Sequence, residues 1–169
     1  MKAKLIIENK EIEIEISEEE YKKLQPSEEK KTGYERVPDS DIYFYAHSGG
    51  YVGTASEHYC NIDNEYYELA NYYSDKTVAE NNTRADKLMR QLRRFAVEHR
   101  EHGVNFNDTD TKKYCIDYDC ENDELNVSFV FRSRKFGAIY FDLGETANAA
   151  IDEFHDELIW YFTEYKESL

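Results

Sequence analysis

No stretch of this chain approaches the roughly 20 consecutive apolar residues that a membrane-spanning helix needs, and no signal peptide is recognisable. Cysteine is scarce and odd in number: Cys60, Cys115 and Cys120 cannot all pair, and a chain of 169 residues can bury a core without staples. Both absences point to a cytoplasmic protein with reduced thiols and no membrane contact. The seven glycines never gather into a phosphate cradle, adjoining only at Gly49-Gly50, and no P-loop, G-x-S-x-G or H-E-x-x-H occurs. The expectation is a protein that is not an enzyme and needs no cofactor. Basic charge is also short, at 21 residues against 36 acidic ones, for a formal net of -15. Such a chain repels bare nucleic acid and attracts basic protein surfaces.

The charge is unevenly spread. Residues 1–41 and 42–76 net -4 each, residues 77–103 net +2 and residues 104–169 net -9. The only basic segment is the stripe Arg84, Lys87, Arg90, Arg93, Arg94 and Arg100, which is too weakly positive to hold RNA and fits pairing with neighbouring acids.

Hydrophobic periodicity predicts an α+β fold: antiparallel β-hairpins packed with two long helices, after an N-terminal β-hairpin and short helix. In KLIIENKEIEIEIS, Ile12, Ile14 and Ile16 alternate with Glu11, Glu13 and Glu15, and the chain is expected to turn at Asn9-Lys10. Ser17 opens a capping box with Glu20, and the short helix it starts, through Tyr21 and Leu24, is expected to stop before Pro26. Residues 1–25 thus form one piece, 26–33 (PSEEKKTG) a linker and 34–169 the main domain.

Within the main domain, YERVPDSDIYFYAHSGGYVG reads as a hairpin closed by Gly49-Gly50, followed by a loop through Asp63 and Asn64. Ser74 or Thr77 then caps a long helix ending near Gly103, with Val78, Ala85, Met89, Leu92 and Ala96 on its buried stripe. Residues 113–120 and 125–132 make another hairpin, in which Tyr114, Ile116, Tyr118 and Cys120 face Leu125, Val127, Phe129 and Phe131. A strand FGAIYF precedes a last helix from about Thr146, with Ala147, Ile151, Phe154, Leu158 and Tyr161 inward. Tyr72-Tyr73 before Ala79 matches Tyr140-Phe141 before Ala147, which suggests a ββ(β)α duplication over 34–103 and 104–169.

The sharpest local feature is DYDCENDE, where Asp117, Asp119, Glu121, Asp123 and Glu124 stand without a base among them. Same-face strand residues repeat every ~6.8 Å. Rows such as Glu11, Glu13, Glu15 and Asp117, Asp119, Glu121 would therefore present charge at a regular pitch, as a nucleic-acid backbone presents its phosphates. On the last helix, Asp152 with Asp156 and Glu153 with Glu157 add like charges at i,i+4. A metal is not expected here. The D-x-D-x-E opening lacks the glycine and the bidentate glutamate of a calcium loop, and His58, Cys60, Cys115 and Cys120 lack the spacing of a zinc knuckle.

The stretches YERVPDSDIYFY, NYYSDKTVAENNTRADKLMRQLRRFAVEH and FGAIYFDLGETANAAIDEFHDELIWYFTEYKESL resemble small accessory proteins of phages and prophages of Gram-positive bacteria. The likeness spans about 34–169, and the N-terminal hairpin looks like an addition to it. That kind of protein includes anti-CRISPR proteins, which block an RNA-guided nuclease by occupying the surface that DNA would use. The resemblance implies a phage-encoded inhibitor in the bacterial host cytoplasm. It would bind a CRISPR-Cas effector nuclease, type II first, and block target DNA by acidic mimicry. The resemblance fixes no contact residue; the acidic rows and turn read from the sequence, Glu11, Glu13, Glu15, Asp117, Asp119, Glu121, Asp123 and Glu124, are the expected contacts. Two other readings stay open: sequestration of a nucleotide signal by Arg90, Arg93 and Arg94 with nearby tyrosines, and a self-associating assembly protein.

Overall fold

The computed structural model describes residues 2–7, 10–15, 17 and 31–165, the first two stretches by their backbone alone. Strands β1 (Lys2–Ile7) and β2 (Lys10–Glu15) pair antiparallel with Ile7 opposite Lys10. Lys10 thus belongs to the strand, not to the turn. The short helix expected after Ser17 and residues 26–30 of the expected linker lie outside the described residues. The end of that linker is docked. Gly33 is buried at a left-handed φ of 87°, a Cβ there would come within 2.7 Å of Val78 Cγ2, and its carbonyl accepts the Ser74 N–H at 2.8 Å.

Strands β3 (Ile42–Ala46) and β4 (Val52–Ser56) form the aromatic hairpin, joined through Gly49-Gly50 with Gly50 at φ 80°. Gly53 is required by a close approach, because a Cβ there would lie 2.4 Å from the Tyr45 ring. Residues 61–68, expected as a loop, form helix α1 (Asn61–Glu68). Its sequence, NIDNEYYE, has no apolar stripe to announce it. What starts it is a buried carboxylate: Asp63 accepts the Cys60 N–H at 3.1 Å and the His58 N–H at 2.9 Å.

Tyr73 exchanges two backbone hydrogen bonds with Phe44, each 2.9 Å, and so adds a single-residue third strand to the hairpin. Helix α2 (Lys76–Glu98) follows. Asp75 caps it, accepting the Val78 N–H at 3.0 Å, in place of the expected Ser74 or Thr77; the Ser74 hydroxyl is taken by Glu35 at 3.0 Å. Ala79, Thr83, Ala85, Leu88 and Leu92 are buried, while Val78, Met89 and Ala96 of the expected stripe lie at its margins. The helix ends short of Gly103, whose N–H instead joins those of Glu101 and His102 on the Asp142 carboxylate.

Strands β5 (Lys113–Asp119) and β6 (Glu124–Val130) pair with Tyr114 opposite Phe129, Ile116 opposite Val127 and Tyr118 opposite Leu125, the register that the alternation predicts. Cys120 and Phe131 fall just beyond the strand ends. FGAIYF is not a strand. Gly137 adopts φ 75°, and only Phe141 reaches β5, exchanging two backbone bonds with Tyr114 at 2.9 and 2.8 Å. Helix α3 (Gly144–Trp160) starts two residues before Thr146, breaks its regular path at Phe154 and runs into a π-helical turn, Tyr161–Tyr165.

The fold is therefore α+β, antiparallel hairpins packed against helices. Its apolar core joins Leu88 and Leu92 of α2 to Phe141, Ala147, Ala150 and Leu158, with Ile116 and Val127 of the second hairpin packed against it. Burying each of the three leucines contributes about 1.5–3 kcal/mol. No helix among the described residues is long and apolar enough to cross a membrane.

Candidate protein-interaction surface

The acidic octet does not present five equivalent carboxylates. Asp117 is half-buried; it accepts a short hydrogen bond from the Ser128 hydroxyl and pairs with Lys135, whose Nζ stands 3.2 Å from Oδ2. That bond raises the Lys135 pKa. Asp119 closes the turn, accepting from the Asn122 side chain at 2.9 Å and the Glu121 N–H at 2.8 Å, and these bonds lower its pKa. Asp123, at φ 55°, accepts the Tyr118 hydroxyl at 3.1 Å. Glu121 and Glu124 are exposed, and among the described residues no hydrogen bond or ion pair engages their side chains.

The expected row Asp117, Asp119, Glu121 is also broken. β5 ends at Asp119, so Glu121 has left the strand and its pitch. Glu11, Glu13 and Glu15 lie in β2, but their side chains fall outside the described residues. On α3, Asp152, Glu153 and Asp156 are exposed, whereas Glu157 receives Arg84 at 2.8 and 3.2 Å. The Arg84 guanidinium lies 3.9 Å from the centre of the Trp160 ring. Arg94 pairs with Glu98 at 3.8 Å.

Sequence reading missed the other end of the same hairpin. Opposite the acidic turn, the start of β5 and the exit of β6 bring Lys112 together with Arg132, Arg134 and the exposed rings of Phe129 and Phe131. Lys112 sits over Phe129 at 4.2 Å and Arg134 over Phe106 at 4.3 Å. Phe136 stands wholly in solvent. The signal was FRSRKF at 131–136, which disappears when charge is averaged over a segment of net -9. Lys113 does not belong to this surface. It is buried and donates to the carbonyls of Asp108, Thr111 (2.7 Å) and Phe131 (3.0 Å).

The first unit holds two acids inside, Glu57 and Asp63. Glu57 is fully buried; Oε1 accepts from Arg36 at 3.0 Å and the Tyr59 N–H at 2.6 Å, and Oε2 from Arg36 and the Tyr72 hydroxyl at 2.8 Å each. The Arg36 bond leads in lowering the Glu57 pKa, while burial and the bond to Glu57 push Tyr72 up to about 12. Burial pushes Asp63 up, but bonds from the His58 N–H, from Cys60 and from the Tyr43 hydroxyl (2.9 Å) outweigh it and hold the carboxyl below its usual range. Four donors fill the acceptor sites of Glu57, and three donors commit the buried Asp63 to contacts within the fold. Asp142 differs. Three successive N–H groups fill Oδ2, and Oδ1 is buried without a partner among the described residues.

Two clefts remain. An apolar one of about 360 Å³ lies between Leu88, Met89, Leu92, Ile139 and Leu158, with the Asp117–Lys135 pair at its rim. A more open one of about 370 Å³ lies among Tyr51, Lys76, Arg84 and Lys87. Arg90, Arg93 and Arg94, the residues considered for a nucleotide, line neither. Cys115 is buried and Cys60 and Cys120 are exposed; among the described residues no group of three or more His, Cys, Asp or Glu is placed to hold a metal ion. Compared with known protein families, curated proteins and solved structures, the chain matches none.

Proposed function

We propose that this chain is a non-enzymatic, phage-encoded inhibitor that acts in the bacterial host by binding a basic, nucleic-acid-binding protein surface. The sequence resemblance makes the partner a CRISPR effector nuclease, type II first. The observation that carries the reading is the division of the carboxylates. Glu57 and Asp63 are consumed inside the fold, whereas Glu121 and Glu124 project from a hairpin tip whose own turn bonds hold it in shape. A rigid tip bearing unpaired charge suits electrostatic association, which acts chiefly on the on-rate. Within the octet the contact set is therefore Glu121, Glu124 and in part Asp123; Glu11, Glu13 and Glu15 of β2 stay in the proposal on their sequence alternation.

The test mixes the purified protein with a guide-loaded type II nuclease and follows target-DNA binding and cleavage at low and high salt. Loss of DNA binding that salt relieves is the expected result. Cleavage lost while DNA stays bound would replace mimicry by a conformational block, and no effect on either would remove this nuclease as the partner.

A further inference from the structure

We infer that the free edge of β6 pairs antiparallel with β6 of a second copy of this chain, joining two hairpins into one four-stranded sheet about a two-fold axis at Val127. Hydrogen-bond phase decides which residues of β6 face outward. Tyr114 spends both of its backbone groups on Phe141, so those groups point away from β6. In an antiparallel pair, opposed residues alternate between exchanging their backbone bonds and turning them outward. Tyr114 is opposite Phe129, Ile116 opposite Val127 and Tyr118 opposite Leu125. Hence Leu125, Val127 and Phe129 all aim their N–H and C=O at the outer edge of β6, and among the described residues no backbone hydrogen bond beyond the hairpin engages them.

An edge of this kind is a template for another strand, and proteins guard such edges with lysine, proline or a bulge. β6 reads ELNVSFV and has none of these; its pairing with β5 is continuous from Glu124 to Val130. Two-fold pairing about Val127 sets Val127 against its counterpart and Leu125 against Phe129, so that outward groups meet outward groups and the half-exposed Phe129 ring gains a neighbour.

Charge selects a second copy as the occupant. The hairpin is acidic at its turn and basic at its open end, and antiparallel pairing lays each end on its opposite. Glu121, Asp123 and Glu124 of one copy fall beside Arg132 and Arg134 of the other. The outer edge of β4 has no such pattern, since VGTAS carries no charge at all.

This surface does not depend on the nuclease, but it shares the tip carboxylates with it, so the test must separate the two. Light-scattering sizing over a concentration series is expected to show a monomer–dimer equilibrium weakened by salt. E121R/E124R and R132E/R134E should each raise the dimer Kd about tenfold or more, and an equimolar mixture of the two variants should recover association as a heterodimer. Hydrogen exchange should slow at Val127 and Phe129 as concentration rises. A wild type that stays monomeric at every concentration, a dimer indifferent to both charge reversals, or a mixture that fails to recover would each overturn the inference. R132E/R134E keeps the tip carboxylates and lacks the dimer, so it should still associate with the nuclease; a variant that loses the dimer yet ignores the nuclease counts against the nuclease alone.

Discussion

Residues 42–98 and 113–160 each run hairpin, single backbone bridge and long helix, and the bridging residues Tyr73 and Phe141 stand in the same place before helices that bury Ala79 and Ala147 completely. The fillings differ. The first unit is held by hydroxyls and carboxylates: Tyr43 stacks on Tyr72 at 4.1 Å, and beneath them Glu57 and Asp63 collect seven hydrogen bonds. The second is held by apolar contact of Phe141, Leu158 and Ile116 with α2. Glu57 and Asp63 in the first unit are therefore fasteners, and Glu121 and Glu124 at the tip of the second are surface. The same residue type does opposite work, and local sequence does not say which.

The largest effect should come from removing a fastener. Glu57→Ala leaves Arg36, Tyr72 and the Tyr59 N–H without their acceptor and should cost about 3–5 kcal/mol, as breaking a buried pair does; chemical denaturation would measure it. Phe141→Ala opens a cavity in the second unit and should cost about 3–5 kcal/mol. Comparable losses from a polar and an apolar deletion would sharpen the contrast, because Glu57→Ala should vary with pH and Phe141→Ala should not.

Acid itself separates the units next. Glu35, which accepts from Thr32, Gly33 and Ser74, has its pKa lowered to about 2, led by the Thr32 N–H, and Glu57 and Asp63 are also lowered. Carboxyls depressed in the folded state stabilise it fully above the unfolded value of about 4 and lose that contribution as pH falls below it. Asp119 and Asp142 of the second unit are lowered as well but lie nearer the surface, whereas Glu57 and Asp63 are buried. Tyrosine signals of the first unit should therefore melt on acidification before protection of the second is lost, as two-dimensional NMR would show.

Smaller effects belong to the acidic octet. Asp117→Asn should cost up to about 1 kcal/mol, since the Lys135 pair is half-exposed, and should leave partner association unchanged. Glu121→Lys with Glu124→Lys should leave stability within about 0.5 kcal/mol and act on association alone.

Alternation alone made the hairpin registers legible: Tyr114, Ile116 and Tyr118 meet the partners their spacing predicts. Helix α1 was not legible, because its start rests on Asp63 bound by a tyrosine twenty positions back in the chain. FGAIYF has β propensity, but the left-handed Gly137 and the solvent-bound Phe136 leave it one bridging residue. At the candidate site, sequence located the tip and overcounted it. Asp117 is neutralised by Lys135 from eighteen positions away, a pairing that exists only once the exit of β6 folds back. The basic end was missed for the converse reason, its cations coming from both strands and vanishing into a segment average.

The measurement that bears most directly on the account is the low-salt association rate of a guide-loaded type II nuclease with the wild type, the Asp117→Asn variant and the Glu121→Lys, Glu124→Lys variant. The wild type and Asp117→Asn are expected to associate alike and the tip reversal to slow association by about tenfold or more, a gap that closes as salt rises. Equal rates for all three in low salt would contradict it.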